Sequence, residues 1–341
     1  MDVIDAIGNT PLIELKKVAK GLPNRVFIKC EHLNPGGSVK DRTARAIILD
    51  AEARGVLVPH SSPPMTIIEG TAGNTGMGFA LIAASRGYRC ICVIPERVAA
   101  DKRIALRQVG AEVYVAKAAG IKSPDNFRNV AARLAEENGW FATNQFHNPA
   151  NLHAHYGAPG ISGTGPEIWK QMGGPDGAKI GAFVSSAGTG GTITGAGTFL
   201  KEKQPDIKVV LADPYGSGLG EWVNTGELGP DGPFVIEGIG SASLPSNLHR
   251  QPLDYAEKIH DDEALAMVER LVKEEGLTVG GSTGVNVVAA LRVAARTDLV
   301  GPVVTIAADL WDRYRSTAWM KAWEQRELEG VVFLQPYAPK T

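Results

Sequence analysis

The chain has 341 residues, more than one compact domain usually holds, so two units of roughly 150 residues each are the natural division. A formal charge of −2 gives no electrostatic case for nucleic acid or an anionic membrane as partner. No apolar run approaches the ~20 residues of a transmembrane helix, and the acids Asp2 and Asp5 sit where a signal peptide needs a basic region; a cytoplasmic location is expected.

Short β-branched runs alternate with helical patterns almost throughout. A strand is expected over 26–30 and a helix over 44–53, then a strand at 65–68 and a helix over 76–85. The unit recurs as strand 89–94 with helix 100–108, and strand 111–115 with helix 126–137. Strand 180–185, helix 195–203 and strand 208–212 follow. The acids Asp261, Asp262 and Glu263 open a helix that Lys273 and Gly276 close. A helix over 286–295 and a strand over 303–307 end the series. This alternation predicts an α/β fold with mostly parallel twisted sheets covered by helices. Cys30, Cys90 and Cys92 are too few for a disulfide framework, and the last two read as small core residues of a buried strand. Trp319 and Trp323, spaced i,i+4, share a helix face that suits core packing or a subunit contact.

The chemistry is concentrated in four glycine-rich turns. Lys40 ends Asn34-Pro35-Gly36-Gly37-Ser38-Val39-Lys40, between a strand and a helix, where a lysine can form a Schiff base with an aldehyde. Gly188-Thr189-Gly190-Gly191-Thr192 can cradle a phosphate on backbone amides and a helix dipole. A dinucleotide site is the competing reading, but Ile193 stands where the third glycine of that fingerprint belongs. Thr71-Ala72-Gly73-Asn74-Thr75-Gly76 offers a second anion site, and Gly280-Gly281-Ser282-Thr283-Gly284 a further close approach. Two anion sites and a lysine fit a phosphorylated aldehyde and a carboxylate substrate. Ser282 as a helix N-cap and Gln145 as an ordinary loop residue are the plainer alternatives. His147, His153 and His155 lie close together, but no Cys or carboxylate nearby completes a ligand set, so no metal is expected.

The lysine segment at 34–42 resembles that of cysteine synthases and cystathionine β-synthases, members of the tryptophan-synthase-β group of pyridoxal-phosphate enzymes. Ile7-Gly8-Asn9-Thr10-Pro11-Leu12, the 71–76 turn, Asn144-Gln145-Phe146, Thr164-Gly165-Pro166-Glu167-Ile168-Trp169 and the 188–195 turn are similar to the family's motifs in the right order. The resemblance implies fold type II: two lobes with pyridoxal 5′-phosphate in the cleft between them. Residues 46–152 would form the smaller mobile lobe that binds the substrate carboxylate. Residues 1–45 and 153–341 would form the larger cofactor-binding lobe. Lys40 would carry the cofactor and move the Cα proton. Asn74 would meet the 3′-oxygen, Gly188, Thr189, Gly190, Gly191 and Thr192 the phosphate, and Ser282 the pyridine nitrogen. Thr71, Ala72, Gly73, Asn74, Thr75, Gln145 and Gly238 would bind the substrate.

The implied reaction is β-replacement on an activated L-serine, with sulfide or a thiol adding to an aminoacrylate. Cysteine desulfhydrase and cystathionine β-synthase-type activity are the alternatives within the family, and a catalytically silent scaffold protein is the alternative outside it. A homodimer is implied as well. Several positions depart from the cysteine-synthase pattern. Ala72 replaces a serine, losing one hydroxyl donor. Asp213 and Glu237 lean towards the cystathionine β-synthases, and 157–163 contains additional residues. Haem and adenosylmethionine control are not expected.

Overall fold

The computed structural model describes residues 2–71, 73–177 and 179–331. Two sheets organise the chain. The larger has the order β1 (Leu12–Leu15), β2 (Val26–Cys30), β10 (Val303–Ala307), β7 (Ala182–Ser185), β8 (Lys208–Pro214) and β9 (Tyr255–Ile259). Only the β1–β2 pairing is antiparallel. The smaller sheet, β5 (Glu112–Ala116), β4 (Arg89–Pro95), β3 (Thr66–Gly70) and β6 (Phe141–Ala142), is parallel throughout.

The period of two along each strand distributes side chains to two cores. On the larger sheet Val184, Val210 and Ala212 face a layer that includes α9 (Asp261–Arg270) and α10 (Gly281–Ala294). Phe183, Val209 and Leu211 face the opposite layer, with α6 (Thr164–Gln171) and α7 (Gly191–Lys203). Helix α10 is apolar around nearly its whole circumference, as a helix buried on all sides must be. On the smaller sheet Ile67, Cys90, Cys92 and Ile94 pack with α1 (Lys40–Ala53), α2 (Asn74–Arg86) and α3 (Ala100–Gln108). Ile68, Ile91 and Val93 pack on α4 (Phe127–Asn138). The three cysteines are buried free thiols.

Four helices start earlier than the sequence pattern suggests: α1 at Lys40, α2 at Asn74, α7 at Gly191 and α10 at Gly281. In each case the first turn is polar or glycine-rich and so carries no apolar periodicity. The wide turn Leu271–Glu275 continues α9 to Gly276, whose φ of +73° ends it. Trp323 is buried and Trp319 partly so, in a small cluster with Tyr314 and Met320 at α11 (Ala318–Leu328).

Candidate active site

The cleft lies at the carboxyl ends of the parallel strands, where open α/β sheets bind ligands. The segment leaving β2 is tied down by Asn34. Its Oδ1 accepts from Gly8 N at 2.8 Å, and its Nδ2 donates to the carbonyls of Glu31 and Ser38. Val39 N donates to Ala308 O, joining the segment to the end of β10. These bonds set Lys40 at the head of α1, half-buried on the cleft wall. Among the described residues no hydrogen bond or ion pair engages Lys40 Nζ. Burial pushes its pKa below the ordinary lysine value, and the Asp309 carboxylate opposes that shift. A lowered pKa enlarges the neutral fraction of the amine, which is the nucleophilic form.

Asp309 organises the wall beside it. Its Oδ2 accepts from Asn74 Nδ2 at 2.7 Å and from Tyr314 Oη at 2.5 Å. Arg313 Nη1 donates to Asn74 Oδ1 at 3.0 Å, and Arg313 Nη2 donates to Gly36 O. Both ends of the Asn74 amide are therefore fixed, and one Nδ2 hydrogen remains for the cleft. Asp309 Oδ1 is buried with no partner among the described residues.

The turn after β7 forms the floor. Gly190 has φ +89°, and a Cβ there would meet backbone atoms of Leu248 at 2.5 Å. A Cβ at Gly188 would strike the Gly238 carbonyl, and one at Gly191 the Asn151 amide. Gly240 N donates to Ala187 O at 2.8 Å, so Gly238 is held over this turn. Thr189 Oγ1 accepts from Asn151 Nδ2 at 2.9 Å, which leaves the hydroxyl proton free. Thr192 stands on the first turn of α7 with Oγ1 3.1 Å from His155 Nε2.

The last group sits around α2. Thr75 Oγ1 donates to Gln145 Oε1 at 2.7 Å, and Gln145 Nε2 donates to Glu69 Oε1 at 3.0 Å. Gln145 is therefore no ordinary loop residue. Gly73 N donates to Thr71 Oγ1 at 3.2 Å. Ala72 lies outside the described residues. Asn151 Nδ2 also donates to Gln145 O, linking this group to the floor. Ser282 is buried on the first turn of α10, inside the helix and without a capping bond, so the N-cap alternative fails. Its hydroxyl has no partner among the described residues.

Sequence reasoning missed Glu69, Asp309 and Arg313 as parts of this site. Glu69 had a signal: a lone acid in the apolar strand Thr66-Ile67-Ile68-Glu69-Gly70. Asp213, near the carboxyl end of β8, is buried with Oδ2 2.8 Å from Lys258 Nζ and accepting from Gly220 N at 2.7 Å. Glu237 does stand at the mouth, paired with Lys102 of α3. His147 bonds Ser246, His153 is exposed and His155 is buried, so the three histidines do not converge.

The family described as pyridoxal-phosphate dependent enzyme matches residues 3–309. The chain belongs to that family. Cysteine synthase 1 from Emericella nidulans is 42% identical over 337 residues, covering 96% of this chain and 87% of the relative. Cystathionine beta-synthase from Apis mellifera is 40% identical over 98% of this chain and 64% of its own length. Among solved structures, O-ureido-L-serine synthase superposes with a TM-score of 0.82 at 32% identity, covering 95% of this chain and 98% of the other. The O-acetylserine dependent cystathionine beta-synthase from Helicobacter pylori gives 0.81 at 34% identity, over 93% and 98%. The family's cofactor is pyridoxal phosphate, and the site fits it. The partnerless Lys40 amine, the free Ser282 hydroxyl and a glycine turn packed too closely for any Cβ are what such a group requires. Among the described residues no helix is long and apolar enough to cross a membrane.

Proposed function

We propose that this chain catalyses pyridoxal-phosphate-dependent β-replacement on an activated L-serine, as a cysteine synthase does. The observation that carries the reading is an unengaged, pKa-lowered Lys40 amine at the head of α1, in a chain that also has a tightly packed glycine turn at 188–192 and a buried, unpartnered Ser282 hydroxyl. When bound, pyridoxal phosphate supplies the electron sink that acidifies the substrate Cα–H and lets a β-substituent leave.

The chain's own residues do the rest. Lys40 would hold the cofactor covalently through Nζ, then take the Cα proton once substrate has displaced it. Asn74 would donate its remaining Nδ2 hydrogen to the ring oxygen, and residues 188–192 would hold the phosphate. Ser282 would offer the ring nitrogen a hydroxyl instead of a carboxylate, which leaves that nitrogen unprotonated. A weaker sink favours prompt loss of a β-leaving group over transamination. Thr71, Gly73, Asn74, Thr75 and Gln145, with Ala72 between them, would bind the substrate carboxylate at the N-terminus of α2, and Gly238 would border the substrate over the phosphate turn.

We further propose that residues 46–152 move as the smaller lobe. The support is that β3, β4, β5 and β6, all within 46–152, form a sheet of their own, separate from the six-stranded sheet built from the remainder. A homodimer is the proposed functional unit, supported by family membership and by the exposed Leu328 and Val331 beside Trp311. The test is Lys40→Ala with O-acetylserine and sulfide as substrates. The wild-type protein should be yellow, bleach with borohydride and form cysteine, and the variant should do none of these. Normal turnover by the variant would refute the assignment.

A further inference from the structure

His155 lies in the last turn of α5 (Ala150–Tyr156) and is fully buried. Its Nδ1 lies 2.9 Å from Thr164 Oγ1, and its Nε2 lies 3.1 Å from Thr192 Oγ1. The imidazole thus bridges two hydroxyls on the first turns of α6 and α7. Burial, helped by the nearby Arg42 and Lys40 cations, holds its pKa well below the ordinary histidine value, so the ring is neutral. A neutral imidazole has one donor and one acceptor.

That leaves two arrangements. If Nδ1 carries the proton, Nε2 accepts the Thr192 hydroxyl hydrogen, and none remains for an anion in the cleft. If Nε2 carries it, the ring donates to Thr192 Oγ1, and the Thr192 hydrogen is free to point at a phosphate oxygen. Thr164 then donates to Nδ1, which suits a buried hydroxyl with no other partner among the described residues. A phosphate dianion accepts only, so its presence selects the second arrangement.

The segment 157–163 lies in the chain between His155 and Thr164, the two partners of the Nδ1 contact. Arg42 Nη1 donates to Ser162 O and Arg45 Nη2 to Gly160 O, each at 3.2 Å. The segment that sequence reasoning marked as additional is therefore tethered to α1, the helix that begins with Lys40, while the His155–Thr164 bond closes its base. A Cβ at Gly195 would meet Leu152 O at 2.5 Å and His155 Cβ at 3.0 Å, so α7 packs closely on the helix that carries His155.

We propose that His155 is a positioning residue for the cofactor phosphate: it donates from Nε2 to Thr192 Oγ1 and thereby directs the Thr192 hydroxyl hydrogen at the phosphate. The proposal rests on the reading that residues 188–192 hold that phosphate. Its test titrates cofactor-free wild type, His155→Ala, Thr192→Val and the double variant with pyridoxal 5′-phosphate and, separately, with pyridoxal. One hydrogen bond to a charged group predicts a weakening of roughly tenfold or more for the phosphorylated ligand in each single variant. Pyridoxal binding should be unchanged, and the double variant should be no weaker than either single one.

Equal weakening of both ligands by His155→Ala, no weakening of either, or additive losses in the double variant would overturn the proposal. A Thr192→Val variant that binds pyridoxal 5′-phosphate like wild type would overturn the phosphate reading and the proposal with it. An effect of Thr192→Val without one of His155→Ala overturns the proposal alone. Nitrogen-15 spectra of the histidine rings in wild-type holoenzyme give a readout independent of variant folding. The His155 ring should be the Nε2-protonated tautomer, and an Nδ1-protonated ring contradicts the inference.

Discussion

Replacing Glu69 with glutamine should remove a specific pH dependence of stability. Glu69 is buried at the end of β3, where it accepts from Thr143 Oγ1, from Gln145 N at 3.3 Å and from Gln145 Nε2 at 3.0 Å. These donors and the Arg128 cation favour its charged form, but burial outweighs them and raises its pKa from 4.5 to about 7. The folded chain therefore binds a proton that the unfolded chain has released across that window, so stability falls as pH rises through it. At about 1.4 kcal/mol for each tenfold change in proton affinity, the loss attributable to Glu69 reaches about 3 kcal/mol above pH 7. Glu69→Gln has no proton to lose there. Asp41, raised to about 7 by the same cause, is present in both proteins and cancels in the comparison. The buried NH2 of the new amide shifts the level of stability but not its slope. Urea unfolding of both proteins at steps from about pH 4 to about pH 8 should show the variant gaining about 3 kcal/mol relative to wild type. A difference that stays constant with pH would refute the reasoning.

Gly190→Ala forces a Cβ into a left-handed position, at about 1–2 kcal/mol, and against the Leu248 backbone besides. It should lower cofactor content and thermal stability together, and wild-type content would contradict the packing described. Asp309→Asn removes the charge that opposes the lowered pKa of Lys40. The pH midpoint for covalent capture of pyridoxal 5′-phosphate by the cofactor-free protein should therefore fall, and an unmoved midpoint would disconnect the two residues. Glu167 is paired with Lys29 and Arg42, and those partners hold its pKa down to about 2 against the opposing effect of burial. Glu167→Gln should cost about 3–5 kcal/mol at neutral pH. The wild type should lose that contribution as pH falls from about 4.5 towards 2, which acid unfolding curves will show. Lys102→Ala breaks a pair whose Glu237 side is half-exposed, so it should change stability by less than about 1 kcal/mol.

The strands of both sheet interiors were legible because their residues are apolar on both faces: Val26–Cys30, Arg89–Pro95 and Val303–Ala307 fall where the pattern placed them. β1 and β9, at the two edges of the larger sheet, carry half-exposed charged residues and gave no such run. Helix α5 is only seven residues long, too short for a period to show. The glycine turns were legible as close approaches because their need is local. Asp309, Arg313 and His155 were not, because each depends on at least one distant partner: Asn74, Gly36 and Thr192 lie 37 to 277 positions away in the chain. No local pattern encodes a hydrogen bond across the cleft.

The central claim is tested most directly by mixing the purified protein with O-acetylserine, serine, O-phosphoserine and cysteine in turn, following its visible absorbance, then adding sulfide and assaying products. A rapid spectral change with an activated serine, reversed by sulfide with cysteine formed in equal amount, is the predicted result. Sulfide and pyruvate released from cysteine, with no response to either activated serine, would contradict it.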